Sequence, residues 1–222
     1  MLSLLIVGAC ATLPIDRNAP RACRDEFDVR FARSATFPER QALLRSLNND
    51  DIRCLFEAAR ADPAPTDAWF VPLARRADHR VQRFFGVNGL VIFREFEKQM
   101  QMLADPQGAE QVLGHNVSGI GKFTGSPGWF LLNPGPPAVL DYHPDFVTLL
   151  GTPAARAQLE AWQGGDPVEI KNGAGNLLFN ELEDTVFALN PDVAVGVAER
   201  VSAGRRQVAS YFIIVRVAAE PR

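Results

Sequence analysis

The chain has 222 residues, 47% of them hydrophobic and 22% charged, with a formal net charge of -3. That length and balance suit one globular domain with a small appendage, and exclude a disordered chain or a polytopic membrane protein. There is no surplus of Lys and Arg to track phosphates, so no nucleic-acid partner is expected.

The N-terminus opens with an apolar run, Leu2-Ser-Leu-Leu-Ile-Val-Gly-Ala-Cys10, far below the ~18 apolar residues of a membrane-spanning helix. Val7, Gly8 and Ala9 fill the three positions before Cys10, and the run resembles the lipobox of bacterial lipoprotein signal peptides. The resemblance implies that 1–10 are a signal peptide and lipobox, that Cys10 is lipidated, and that the chain partners a membrane through that lipid anchor. Ala11 stands where an Asp would signal inner-membrane retention, so the implied location is the cell envelope, at the periplasmic face of the outer membrane. The competing reading is a buried strand or helix with an incidental cysteine. Disulfides persist in such a compartment, and Cys23 and Cys54 are the two cysteines left over. They either pair or stay reduced. Neither has a Cys or His at ligand spacing, so no metal site is expected.

Residues 11–24, with Pro14 and Pro20 and no apolar period, read as a tether. Residues 25–81 then read as a helical segment packed on a barrel formed by the rest of the chain. Thr36-Phe-Pro-Glu39 is a capping box with Pro38 in the first turn, and Leu43, Leu44 and Leu47 share one face. Asn48-Asn-Asp50 ends that helix and caps the next, in which Ile52, Leu55, Phe56 and Ala59 keep the helical spacing. After the breaker Asp62-Pro-Ala-Pro-Thr66, a third helix is expected over 67–81, its Arg75, Arg76, Asp78, His79 and Arg80 forming a solvated face.

From residue 84 to 222 the chain reads as a β-barrel domain. Leu90-Val-Ile-Phe93 predicts a first strand over 89–97, with a helix over 93–103 as the alternative because Glu95, Lys98 and Gln101 favour helix. Between Gly114 and Tyr142, apolar runs at 120–123, 129–132 and 138–142 are separated by Gly- and Pro-rich turns, which predicts a meander. A helix over 146–162, capped by Thr152 with Pro153 in its first turn, precedes strands at 168–171, 176–180, 184–189, 193–201 and 207–217. The fold class is therefore α+β: mainly β, with N-terminal helices and an antiparallel barrel of about eight strands. Val193, Val195 and Val197 alternate with Ala194, Gly196 and Ala198, a large face opposite a small one, which suits a barrel with room inside. Phe179-Asn-Glu-Leu-Glu-Asp184, Pro191 to Arg200 and Gln207 to Val215 are similar to the closing strands of small uncharacterised lipocalin-like bacterial proteins. The resemblance implies a lipocalin-like barrel around a small apolar ligand.

Chemistry is harder to find. Around Gly119-Ile-Gly121-Lys122 the spacing fits neither a phosphate-binding loop nor a dinucleotide fingerprint, and no cofactor is expected. Asp141, His143 and Asp145 are the densest polar cluster, with His143 as a candidate general base oriented by a carboxylate. No nucleophile accompanies them, so no catalytic set is assigned, and the same residues also make an ordinary turn in which Asp145 caps a helix. His115 has only Asn116 and Ser118 nearby, and Glu181, Glu183 and Asp184 form an acidic pair or a solvated loop. Trp129, Tyr142, Phe179 and Tyr211 on predicted strands, with Arg94 and Lys122 as polar contacts, are the candidate ligand-binding residues, a solid core being the alternative. The expected function is a cell-envelope lipoprotein whose barrel binds a small hydrophobic ligand. The alternatives are a lipid- or isoprenoid-modifying enzyme using the His143 cluster, or a structural lipoprotein binding another envelope protein through its helices.

Overall fold

The computed structural model describes residues 19–64, 82–90, 94–104, 110–117, 128–133, 137–142 and 181–217, together with Gly135, Ala157 and Phe179. Three helices come first: α1 (Ala19–Arg33), α2 (Phe37–Ser46) and α3 (Asn49–Ala61). Thr36 caps α2 as the sequence predicts. Its hydroxyl accepts from the Glu39 N–H, and the Glu39 carboxylate accepts from the Thr36 N–H. Asn48 and Asp51 make the same reciprocal pair at the start of α3. Each cap satisfies N–H groups that the helix itself leaves unpaired and is worth about 1 kcal/mol. Helix α1 begins inside the stretch expected as a tether, and it holds Cys23. Cys23 is bonded to Cys54 of α3, their Cα atoms 6.3 Å apart across a sequence separation of 31. In the chain-entropy account such a bond stabilises by about 3 to 4 kcal/mol.

Eight strands follow: β1 (Gln82–Asn88), β2 (Glu95–Ala104), β3 (Glu110–Asn116), β4 (Trp129–Asn133), β5 (Ala138–Asp141), β6 (Leu182–Asn190), β7 (Val193–Ser202) and β8 (Arg205–Arg216). Each is antiparallel to the next, and β8 pairs back onto β1 to close the barrel. The expected strand over 89–97 is replaced by the end of β1 at Asn88 and the start of β2 at Glu95, and β3 has no counterpart among the predicted strands. The helical alternative over 93–103 gives way to β2. Glu95 and Glu97 are exposed while Lys98 and Met100 are buried, a period of two that pairing with β1 and β3 rewards over the helix propensity of the same residues. The expected third helix at 67–81, the strand at 120–123, the helix at 146–162 apart from Ala157, the strand at 168–171, most of that at 176–180 and Cys10 lie outside the described residues.

The wall of the barrel has two differently dressed sides. On the outside, Val193, Val195, Val197, Ile213 and Val215 are buried beneath Ile52, Leu55 and Phe56 of α3 and Leu44 of α2. On the inside, Phe84, Met100, Val112, Leu132, Ala194 and Ile214 pack together. The large side of β7 therefore faces the helices and its small side faces the interior. No helix among the described residues is long and apolar enough to cross a membrane.

Candidate functional site

Three strand pairs set the shape of the interior. Gly86 pairs with Phe96, Gly114 with Phe130 and Gly196 with Phe212, each directly across the ladder. In every case the phenyl ring lies over the glycine: a Cβ there would stand 2.3 Å from Phe96, 2.3 Å from Phe130 and 2.4 Å from Phe212. The glycines give the rings space to fold flat against the wall, the arrangement by which an aromatic neighbour shields a strand glycine. The three rings then surround one cation. The Lys98 Nζ is 5.4 Å from the Phe96 ring centroid, 4.9 Å from Phe130 and 5.6 Å from Phe212, with Tyr142 at 5.3 Å.

Lys98 points inward because it shares the face of Phe96 and Met100 on β2, and its side chain is 4% exposed. Its Nζ donates to Asn116 Oδ1 at 3.0 Å, Tyr142 Oη at 2.6 Å and Asp184 Oδ2 at 3.2 Å. Tyr142 in turn donates to the same Asp184 oxygen at 3.0 Å, and the Asn116 amide donates to the Gly128 carbonyl. Asp184 shares the inner face of β6 with Val186 and Ala188, so the chain supplies the cluster from four separate segments. Burial pushes the Lys98 ammonium below its ordinary pKa, against the pull of Asp184. Burial pushes the Asp184 carboxyl up, against the pull of Lys98 and Tyr142. Burial thus works against both charges, and the ion pair and its hydrogen bonds work for them. Burial and the Asp184 charge hold the Tyr142 phenol well above its usual range, so it stays a donor.

Beside this cluster is a cavity of about 220 Å³. Phe96, Phe179, Leu182, Ala198 and Phe212 form its apolar walls, and Lys98, Tyr142 and Asp184 its polar floor. Exposed Leu90 and Arg200 stand at its mouth. Tyr142 is fixed by stacking on Phe179, with ring centroids 5.6 Å apart, and by a tilted contact with Phe130 at 5.3 Å.

Of the residues the sequence offers as ligand contacts, Tyr142 and Phe179 line this cavity, and Lys122 lies outside the described residues. Trp129 is on the opposite face of β4 from Phe130, against His115 at 4.4 Å. Tyr211 is outside the barrel on Phe56. Arg94 donates to the carbonyls of Arg45 and Leu47 at the end of α2, where the helix dipole favours a cation. Asp141 is on the face of β5 away from Leu140, and His143 and Asp145 lie outside the described residues. The acidic group at 181–184 is divided. Glu181 sits in a turn with φ 67°, Glu183 pairs with Arg206, and Asp184 alone of the three enters the barrel. Lys98 and Asn116 are absent from the candidates that sequence reasoning supplies. The signal for Lys98 is the alternation Glu95-Phe-Glu-Lys-Gln-Met100, which puts it between two apolar side chains. Among the described residues no cluster of His, Cys, Asp and Glu forms a metal site. Compared with protein-family models, curated proteins and solved structures, the chain matches none of them.

Proposed function

We propose that the protein is a binding protein of the cell envelope whose barrel holds a small, mainly apolar ligand with one polar end. The observation that carries this reading is the cavity itself, apolar in its walls and closed at its floor by Lys98, Tyr142 and Asp184. Such a combination fixes the orientation of a ligand through a few polar groups and takes its affinity from apolar burial. At about 220 Å³ the space is smaller than the ~300 to 1,000 Å³ of drug-sized sites. The ligand is therefore compact, a single ring or a short branched chain. The Cys23–Cys54 bond supports an oxidising compartment, and Cys10 supplies the lipid anchor.

Benzyl alcohol is a suitable probe. It should raise Tm with concentration, as any ligand of the native state does, and Ala198→Leu, which narrows the cavity, should reduce the shift. A flat Tm up to millimolar benzyl alcohol and other single-ring probes would sink the ligand reading. For location, Cys10→Ser should move the full-length chain from the membrane fraction to the soluble periplasmic fraction; an unchanged distribution removes the anchor.

A further inference from the structure

We infer that Lys98 is a covalent attachment point, forming an imine with aldehyde or ketone ligands that enter the barrel cavity, with Asp184 carrying the protons. The inference rests on the ligand reading above and names the chemical class of the ligand.

Four observations converge on it. Lys98 is one of the residues that line the cavity, together with its partners Asn116, Tyr142 and Asp184. The amine is enclosed by three phenyl rings and a phenol, with 3% of the residue exposed. Such an apolar shell is what turns a lysine into a nucleophile at neutral pH. Its carboxylate partner is at 3.2 Å and equally buried, so a base stands ready for the ammonium proton. The chain has only three lysines, Lys98, Lys122 and Lys171, among 23 Lys and Arg. An arginine in this position would hold its charge and make more hydrogen bonds, but it could never give up a proton.

The step balances within the site. Lys98 passes one ammonium proton to the Asp184 carboxylate. The amine lone pair then adds to the carbonyl carbon, whose π electrons move to oxygen, and Asp184 returns the proton to that oxygen. Asp184 next takes a proton from the carbinolamine nitrogen and delivers it to the hydroxyl group. Water leaves, the C=N bond forms, and a protonated imine stands opposite the restored Asp184 carboxylate. The buried charge pair is thus kept, with an iminium in place of the ammonium, and hydrolysis runs the same steps in reverse. Tyr142 accepts from Lys98 and donates its one proton to Asp184, so it holds the amine and the carboxylate in place for these transfers.

The test uses the full chain, benzaldehyde, and cyanoborohydride to reduce any imine, with peptide mapping of the adduct and benzyl alcohol binding measured in parallel. The expected result is a reduced benzyl adduct on Lys98 in at least roughly tenfold excess over Lys122 and Lys171, suppressed by benzyl alcohol. Asp184→Asn should slow its formation roughly hundredfold, the usual contribution of a positioned acid and base. If the adduct is shared evenly among the lysines while benzyl alcohol still binds, the covalent inference falls and the ligand reading stands. If benzyl alcohol does not bind and Lys98 is unlabelled, both fall. Because the mapping is done on the unaltered protein, the result does not depend on a Lys98 variant folding.

Discussion

The two ends of the barrel are made from the same eight strands and are filled on opposite principles. At one end Phe84, Met100, Val112, Leu132, Ala194 and Ile214 close the interior with apolar side chains alone. At the other stand Lys98, Asn116, Tyr142 and Asp184 beside an open cavity. Among the described residues, the buried polar and charged side chains of Lys98, Asn116 and Asp184 belong to that second end, whereas buried His115 lies on the outer face of the wall against Trp129. The difference teaches where stability and function are separated in this chain. One end supplies close packing, and the other gives up packing to keep a charge pair beside a cavity.

The largest effects should come from deleting one member of each end, and the contrast lies in what repairs them. Phe84→Ala is expected to cost about 3 to 5 kcal/mol for lost burial and the cavity left behind. Lys98→Met is expected to cost a similar amount, about 3 to 5 kcal/mol, because Asp184 is left buried and unpaired. Adding Asp184→Leu to Lys98→Met should restore most of that loss, whereas nothing at the packed end is a partner waiting to be released. Urea denaturation of the three variants checks this; a double variant no better than Lys98→Met would mean the open end does not bear a desolvation cost.

A smaller effect concerns pH. Burial pushes the His115 pKa down to about 4 from an ordinary value of 6.5. The unfolded chain therefore binds more protons than the folded one between those values, and stability is whole above pH 6.5 and lost as pH falls toward 4. Over the full window the loss is about 3 kcal/mol. His115→Phe, which keeps a ring against Trp129, should flatten this part of the pH profile relative to the wild type; identical profiles from denaturation midpoints at pH 7 and 4.5 would contradict it.

The smallest effects give the sharpest contrast. Ala194→Leu places a larger side chain in the packed end, where Ala194 is fully buried, and should cost about 1 to 3 kcal/mol. Ala198→Leu, on the same face of β7, enters the cavity and should change stability by less than about 1 kcal/mol while lowering ligand affinity. Equal losses would show that the cavity is no roomier than the core.

How much of this is legible depends on how local the signal is. The caps at Thr36 and Asn48 need only four consecutive residues and stand out in the sequence, as do the turns at Asn190 and Ala203 that delimit β6, β7 and β8. The small face of β7 is also visible, because Val alternates with Ala and Gly from Val193 to Ala198. The start of the barrel is misleading because Gly86, Asn88 and Gly89 look like punctuation before a strand. In fact Gly86 is mid-strand, cleared for the ring of Phe96. Trp129 and Phe130 are adjacent aromatics on one strand, and which of them faces inward turns on a single residue of register that their own sequence does not specify. The Lys98–Asp184 pair joins positions 86 apart. No spacing rule links two such residues; only closure of the sheet brings them together.

That closure also dictates an order of assembly. The last seam of the barrel joins Phe84–Asn88 to Phe212–Arg216, nearly the two ends of the sheet, and the helices rest mainly on β6, β7, β8 and β1. During synthesis the helices and the first strands emerge long before the surfaces they bury against exist. A chain whose decisive contacts are so distant in sequence closes its longest loop last and folds slowly. Until β8 is in place, Ile52, Leu55 and Phe56 lack part of the strand surface that finally covers them, an exposed apolar stripe of the kind that makes folding intermediates prone to aggregate.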